Sequence, residues 1–146
     1  MEKPDAQQLQ AFILGAFSTE ESAPAILVEE ISAQRVRLRL KVGDRHLRPG
    51  ASIAGPVQMG LADSAAWALI LHNLGFDAAP SVTSNLNISF LSRPGPVDLI
   101  AEGQLLKLGK RLSVSEVRLF SDGRPEPVAH ATTTYAVLFA SDRPPL

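Results

Sequence analysis

From Gln34 to Val42 the chain alternates without a break. Val36, Leu38, Leu40 and Val42 fall on one side, and Arg35, Arg37, Arg39 and Lys41 on the other. That pattern predicts a strand with one buried and one solvated face. Before it, Asp5 is placed to cap a short helix through Leu9, Phe12 and Ile13, within an N-terminal helical segment over residues 1–25. After it, a loop from Gly43 to Ala54 leads to a stretch, Pro56 to Leu74, with the length and Ala/Leu content of a helix, and Gly75 is positioned to end it. The apolar residues of this helix run nearly all the way round, from Val57 and Met59 through Leu61 and Ala66 to Trp67, Ile70 and Leu71. Such a helix is expected to be wrapped by other structure.

Strand patterns then follow one another with turn signals between them. Val82, Ser84, Leu86, Ile88 and Phe90 form one expected face, and Arg93-Pro94-Gly95 ends that run. Further strands are predicted over Val97–Leu108, Leu112–Phe120 and Val128–Phe139, separated by Gly109-Lys110 and Ser121-Asp122-Gly123. Helix, strand, long apolar helix and then consecutive strands define an α+β chain with an antiparallel sheet. One sheet wrapped around one very apolar helix buries both, which is the hotdog arrangement. The 146 residues suit a single domain, closed by a frayed tail at 141–146 that carries Pro144 and Pro145.

Composition narrows the chemistry. Basic and acidic residues balance at 14 to 15, for a net charge of -1, so no basic face for nucleic acid is expected and no charge-driven membrane contact. The chain has no cysteine, which excludes disulfides, thiolate nucleophiles and cysteine-based zinc sites. His46, His72 and His130 have no metal-ligand spacing, and no metal or cofactor is expected. The first residues lack the apolar core of a signal peptide, and the apolar run Leu61–Leu71 is too short to span a bilayer, so a cytoplasmic location is the expectation.

The segment Gly55 to Ala66 carries the most information. Glycine and proline open the helix, where proline is comfortable and glycine lets another group approach the backbone. The first amides of a helix have no internal partner and carry partial positive charge, so a thioester carbonyl placed there would find an oxyanion site. Asp63 lies two turns further in among Leu61, Ala62, Ala65 and Ala66. A carboxylate on so apolar a helix is costly unless something uses it, either chemistry or a buried partner such as an arginine. Helix from Gly55 to Asp63 rises roughly 12 Å. The two cannot act on one carbonyl from the same chain, so joint action requires two chains with these helices antiparallel.

The pattern Arg48-Pro-Gly, Ala54-Gly55-Pro56, Leu61-Ala62-Asp63-Ser64-Ala65 and Asn85-Leu-Asn-Ile-Ser-Phe-Leu-Ser-Arg-Pro94 resembles the phenylacetic-acid-degradation-type hotdog thioesterases. The likeness continues in Asp98-Leu-Ile-Ala-Glu-Gly103, Leu108-Gly-Lys-Arg111 and Val128-Ala-His-Ala-Thr132, and covers most of the chain beyond residue 30. The resemblance implies a sheet of five or six strands around a central helix, dimers often paired into tetramers, and hydrolysis of acyl-CoA thioesters, with CoA entering only as part of the substrate. By the same resemblance Gly55 supplies the oxyanion amide, Asp63 of the facing subunit activates water or attacks directly, and Thr83 helps place the water. In such enzymes the CoA phosphates tend to meet basic residues near the sheet edge, for which Arg93, Lys110 and Arg111 are the candidates here.

The family commonly carries His-Gly-Gly where this chain has Ala54-Gly55-Pro56, and an asparagine near Arg48. Arg48 is therefore a candidate either for substrate or for an ion pair with Asp63 of the other subunit. Gln58, one turn into the helix, is a candidate for the acyl pocket or a first-turn polar cap. Trp67 and Met59 suit core packing or an acyl tunnel, Asn85 and Asn87 interface contacts, and His130 an exposed or core-edge position. Two alternatives share the scaffold: a non-catalytic acyl-CoA or acyl-binding protein, and a hydratase or dehydratase. The second needs a histidine–carboxylate pair that no histidine near the helix start provides.

Overall fold

Asp5 does cap the first helix. In a computed structural model, which describes residues 2–17 and 26–142, its carboxylate accepts the amide of Gln8 at 2.8 Å, and the Gln8 side chain accepts the Asp5 amide at 2.9 Å. This reciprocal box starts helix α1, Ala6–Phe17, whose Leu9 and Ile13 are fully buried. Strands β1 (Ile26–Ile31) and β2 (Arg35–Leu40) form a hairpin. The short pair β3 (Leu47–Arg48) and β4 (Ser52–Ile53) leads into α2, Gly55–Leu74. Gly75, at φ 82°, ends that helix with its amide on the Leu71 carbonyl. Strands β5 (Val82–Phe90), β6 (Leu99–Leu108), β7 (Leu112–Ser121) and β8 (Pro127–Ala136) complete the chain.

The strands make one antiparallel sheet in the order β1-β2-β6-β7-β8-β5, and α2 packs across its inner face, so the expected hotdog fold is the one observed. Helix and sheet approach closely at Gly103, where a Cβ would stand 2.8 Å from Val36 Cγ1 and 3.6 Å from Ala65 Cβ. On the outer face Arg37 and Arg39 of β2 are paired with carboxylates of neighbouring segments. Arg39 binds Glu29, Asp98 and Asp122, and Arg37 binds Glu29 and Glu102. These guanidiniums hold the Glu29 and Asp122 carboxyls below their ordinary values, Arg39 being the main cause in both.

Four expectations need correction. Strand β1 was not expected, because the register slips at a bulge between Val28 and Glu30 and Ile26-Leu-Val-Glu-Glu-Ile31 therefore fails to alternate. On β5 a second bulge, between Thr83 and Asn85, inverts the phase. Thr83 pairs with Tyr135 and Leu86 with Thr133, so Thr83, not Ser84, shares the inner face with Leu86, Ile88 and Phe90. Ser141 is held rather than frayed, its hydroxyl donating to Asp77 at 2.8 Å, while residues 143–146 of the expected tail and 18–25 of the N-terminal segment lie outside the described residues.

The fourth correction concerns α2. Its C-terminal half is enclosed as expected, with Ala65, Ala66 and Ala68–Leu71 buried. Its N-terminal half is not wrapped all round. Pro56, Met59 and Gly60 are exposed and Asp63 half-buried, a stripe at helical spacing along one side. Met59, expected in core packing or an acyl tunnel, is 38% exposed. Beside this stripe runs β5, the sheet edge, with Val82 and Phe90 each about half exposed.

Candidate functional site

The uncovered side of α2 holds two hollows, one at each end of β5. The first, about 390 Å³, is lined by Asp63, Ser64 and Trp67 of α2, by Val82 and Thr83 of β5, by Tyr135 of β8 and by Ala16 of α1. The Thr83 hydroxyl donates to Asp63 Oδ1 at 2.5 Å. The bulge makes this bond possible, because without it the Thr83 side chain would point to the outer face. Tyr135 donates from its hydroxyl to the backbone carbonyl of Asp63 at 3.2 Å, tying this turn of the helix to the sheet. Burial pushes the Tyr135 phenol above its ordinary value, with the Asp63 charge adding to the rise, so it stays protonated and remains a donor. Trp67, its indole N–H on the Ala79 carbonyl at 3.3 Å, forms an apolar wall next to the carboxylate.

The second hollow, about 650 Å³, lies at the helix start, between Gly55, Gln58, Phe90, Arg48 and Arg93. Ala54 is extended (φ −63°, ψ 145°), and its carbonyl accepts the amides of Val57 and Gln58. Gly55, as the first helical residue, has an amide with no intrahelical partner, and Pro56 carries no N–H at all. A Cβ on Gly55 would meet the Phe90 ring at 3.4 Å, so a side chain there would narrow the approach to that amide. The positive end of the helix dipole and an amide without an intrahelical partner thus border an open pocket.

The hairpin β3–β4 forms the wall of this hollow. It turns through Gly50 (φ 95°) and Ala51 (φ 57°), and the Arg93 guanidinium donates to the Gly50 carbonyl. Ile53 adds a backbone bond to the Pro94 carbonyl. Arg93 thus braces the loop over the helix start, on the rim of the hollow. Arg48 is exposed on the same rim, and Lys110 and Arg111 are exposed on the β6–β7 turn, near the Thr83 end of β5. Gln58 is 4% exposed and lines the hollow beside Gly55. His130 bonds Glu116 at 2.8 Å on the outer face, away from both hollows, and Asn85 and Asn87 are exposed on β5.

Within one chain, therefore, Thr83 and Asp63 come together, and Gly55, Gln58, Arg48 and Arg93 come together, but the two groups remain separate. A larger groove, about 710 Å³, lies on the outer sheet face among Arg35, Arg37, Glu102 and Arg118, away from the start of α2. Alternation along Val128–Phe139 places Tyr135 in phase with Thr133, but its bond to Asp63 depends on tertiary packing and has no signal in the sequence. Among the described residues no group of three or more His, Asp or Glu side chains could hold a metal ion, and no helix is long and apolar enough to cross a membrane.

Comparison with known proteins gives this geometry a family. The thioesterase superfamily model matches residues 50–128, the span from the β3–β4 turn to the start of β8. A candidate thioesterase from Silicibacter sp. TM1040 is similar in structure at 36% identity and TM-score 0.84, over 94% of this chain and 95% of that one. The chain belongs to the thioesterase superfamily. It is a thioester hydrolase on the hotdog fold. A mutant thioesterase from Pseudomonas aeruginosa (22% identity, TM-score 0.79, 93% and 95% covered) shares the fold. So does zebrafish thioesterase superfamily member 2 (18%, TM-score 0.81, 92% and 99%). No curated protein matches the chain by sequence.

Proposed function

We propose that the chain hydrolyses acyl-CoA thioesters, in the manner of the phenylacetic-acid-degradation type, at sites shared by two antiparallel copies. The observation that carries this reading is the pairing of each hollow with one end of the edge strand β5: Asp63 with Thr83 at one end, Gly55 with Phe90 at the other. A two-fold axis through the middle of β5 would set the Asp63 end of one subunit beside the Gly55 end of its partner. It would also extend the sheet across the edge and cover Met59, Val82 and Phe90. Lys110 and Arg111 lie at the Thr83 end of β5 and Arg93 beyond the other, so the same axis gathers all three at one side, where CoA phosphates could meet them.

In such a site the thioester oxygen accepts the Gly55 amide, and Asp63 of the partner subunit takes a proton from water as its oxygen attacks the carbonyl carbon. The C–S bond then breaks, and the proton passes to the departing thiolate, giving the free acid and the CoA thiol. In the nucleophilic alternative the Asp63 carboxylate displaces the thiolate to form a mixed anhydride. Water then hydrolyses the anhydride to release the free acid and the carboxylate, its proton going to the thiolate; the same two groups serve. No cofactor enters either sequence. A pair of such dimers would make a tetramer, and nothing in the reading requires a membrane or nucleic acid.

The test is thiol release from a panel of aliphatic and aromatic acyl-CoAs by the purified protein, with its oligomeric state measured by light scattering. Turnover by a dimer or tetramer is the expected result. Bound acyl-CoA without thiol release would replace this reading with a binding protein on the same fold, and a turning-over monomer would remove the shared site.

Thr83→Val should separate orientation from binding. The variant keeps shape but loses the bond to Asp63, and a hydrogen bond to a charged group is worth about 1.5–3 kcal/mol. A fall in kcat of about 10–100-fold with little change in KM is expected. An unchanged kcat would show that Asp63 is held well enough by its helix alone.

A further inference from the structure

Gln58 carries an acceptor that nothing among the described residues uses. Its Nε2 donates to the Ile53 carbonyl at 3.2 Å, and its Oε1, buried with the rest of the side chain, has no partner among them. The assignment of the two ends follows from chemistry, since the reversed amide would set oxygen against the Ile53 carbonyl oxygen. Tying the end of β4 to the first turn of α2 explains the Nε2 bond. It does not explain why a buried position in the first turn keeps an unsatisfied oxygen, when leucine or methionine would fill the same volume with no unpaired group.

The place of this side chain in the fold gives the answer. Side chains on a helix lean toward its N-terminus, and the bond to Ile53 draws the Gln58 amide back beside the helix start. Gln58 therefore lines the same hollow as Gly55, against Phe90. Whatever puts a thioester carbonyl on the Gly55 amide places its neighbouring atoms next to Gln58.

We infer that Gln58 Oε1 receives a hydrogen bond from an O–H or N–H donor that the substrate carries within a few bonds of its thioester, which makes Gln58 a specificity residue. This rests on the acyl-CoA thioesterase reading and deepens it by naming a chemical feature of the substrate. Two parts of an acyl-CoA offer such a donor: a hydroxyl on the acyl chain close to the carbonyl, and the amide of the pantetheine arm nearest the sulfur.

The experiment compares hexanoyl-CoA with 3-hydroxyhexanoyl-CoA in the parent and in Gln58→Met, which fills the space without an acceptor. If the acyl hydroxyl is the donor, the parent prefers the hydroxylated substrate by about tenfold or more in kcat/KM, and Gln58→Met erases the preference. If the pantetheine amide is the donor, the parent shows no preference and Gln58→Met weakens both substrates about tenfold through KM. Values for both substrates that stay within about twofold of the parent in Gln58→Met overturn the inference. So does an acyl preference that survives the substitution, or an unchanged kcat/KM accompanied by a weakened dimer, which would assign the oxygen to the subunit contact. Should Gln58→Met fail to fold, Gln58→Asn, which withdraws the oxygen by one methylene, takes its place. Failure of the thioesterase reading shows separately, as no thiol release by the parent from any acyl-CoA. Calorimetric binding of the same two thioesters then tests Gln58 alone, and equal affinities in parent and variant, or no binding to either, overturn it.

Discussion

Asp63→Asn is expected to lower kcat for acyl-CoA hydrolysis by about 10²–10⁴-fold, the span that a positioned general base contributes, while leaving fold and oligomer intact. Asparagine has the shape of aspartate and keeps an oxygen able to accept the Thr83 hydroxyl. The Tyr135 bond goes to the backbone carbonyl and survives the change. What is lost is the ability to take a proton or to attack carbon. Thermal unfolding should therefore shift little, and KM should change far less than kcat. The competing account makes Asp63 a structural ion-pair partner of Arg48 across the subunit contact. Under that account Asp63→Asn weakens association and lowers the melting temperature, and Arg48→Met reproduces its effect. Within one chain Arg48 and Asp63 line different hollows, so only measurements on the assembly separate the two accounts. Hydrolysis within tenfold of the parent in a stable Asp63→Asn dimer would remove Asp63 from the chemistry.

What the sequence made legible follows the physics of each signal. The Val36-Leu38-Leu40 alternation and the apolar run of α2 are local patterns with large burial behind them, and both elements were found. Asp63 stood out because a carboxylate among Leu61, Ala62 and Ala65 is costly, a statement about solvation that needs no coordinates. Strand β1 was hidden for the opposite reason: one extra residue at its bulge destroys the period on which strand recognition depends. The same device on β5 put Thr83 on the wrong face when read by alternation alone, and only resemblance suggested it. Met59 and the open side of α2 were missed because hydrophobicity reports that a surface wants cover, not whether a sheet or a second chain supplies it. The orphan oxygen of Gln58 could not be seen at all, since it depends on which of two amide atoms Ile53 occupies.

Mixing two disabled subunits should restore activity, and this result would be the hardest to obtain from a site contained in one chain. In the shared arrangement each site takes Gly55 from one subunit and Asp63 from the other. Gly55→Val adds branches where a Cβ already meets the Phe90 ring at 3.4 Å, and these should screen the helix-start amide. Losing one oxyanion donor costs about 10²–10³ in kcat. Homodimers of Gly55→Val or of Asp63→Asn then carry two defective sites. A heterodimer carries one site with both defects and one with neither. Unfolding and reassembling the variants at equal concentration makes about half the dimers mixed, each with one sound site, so about a quarter of the parent activity should return. The gain should grow with the fraction of heterodimer measured by mass and vanish when the variants are combined without subunit exchange. If both groups served one site from a single chain, every subunit in the mixture would stay defective and no activity would return. The roughly 12 Å that separates Gly55 from Asp63 along α2 already disfavours that outcome. The complementing mixture would turn that distance from an objection into the reason the protein must assemble before it can act.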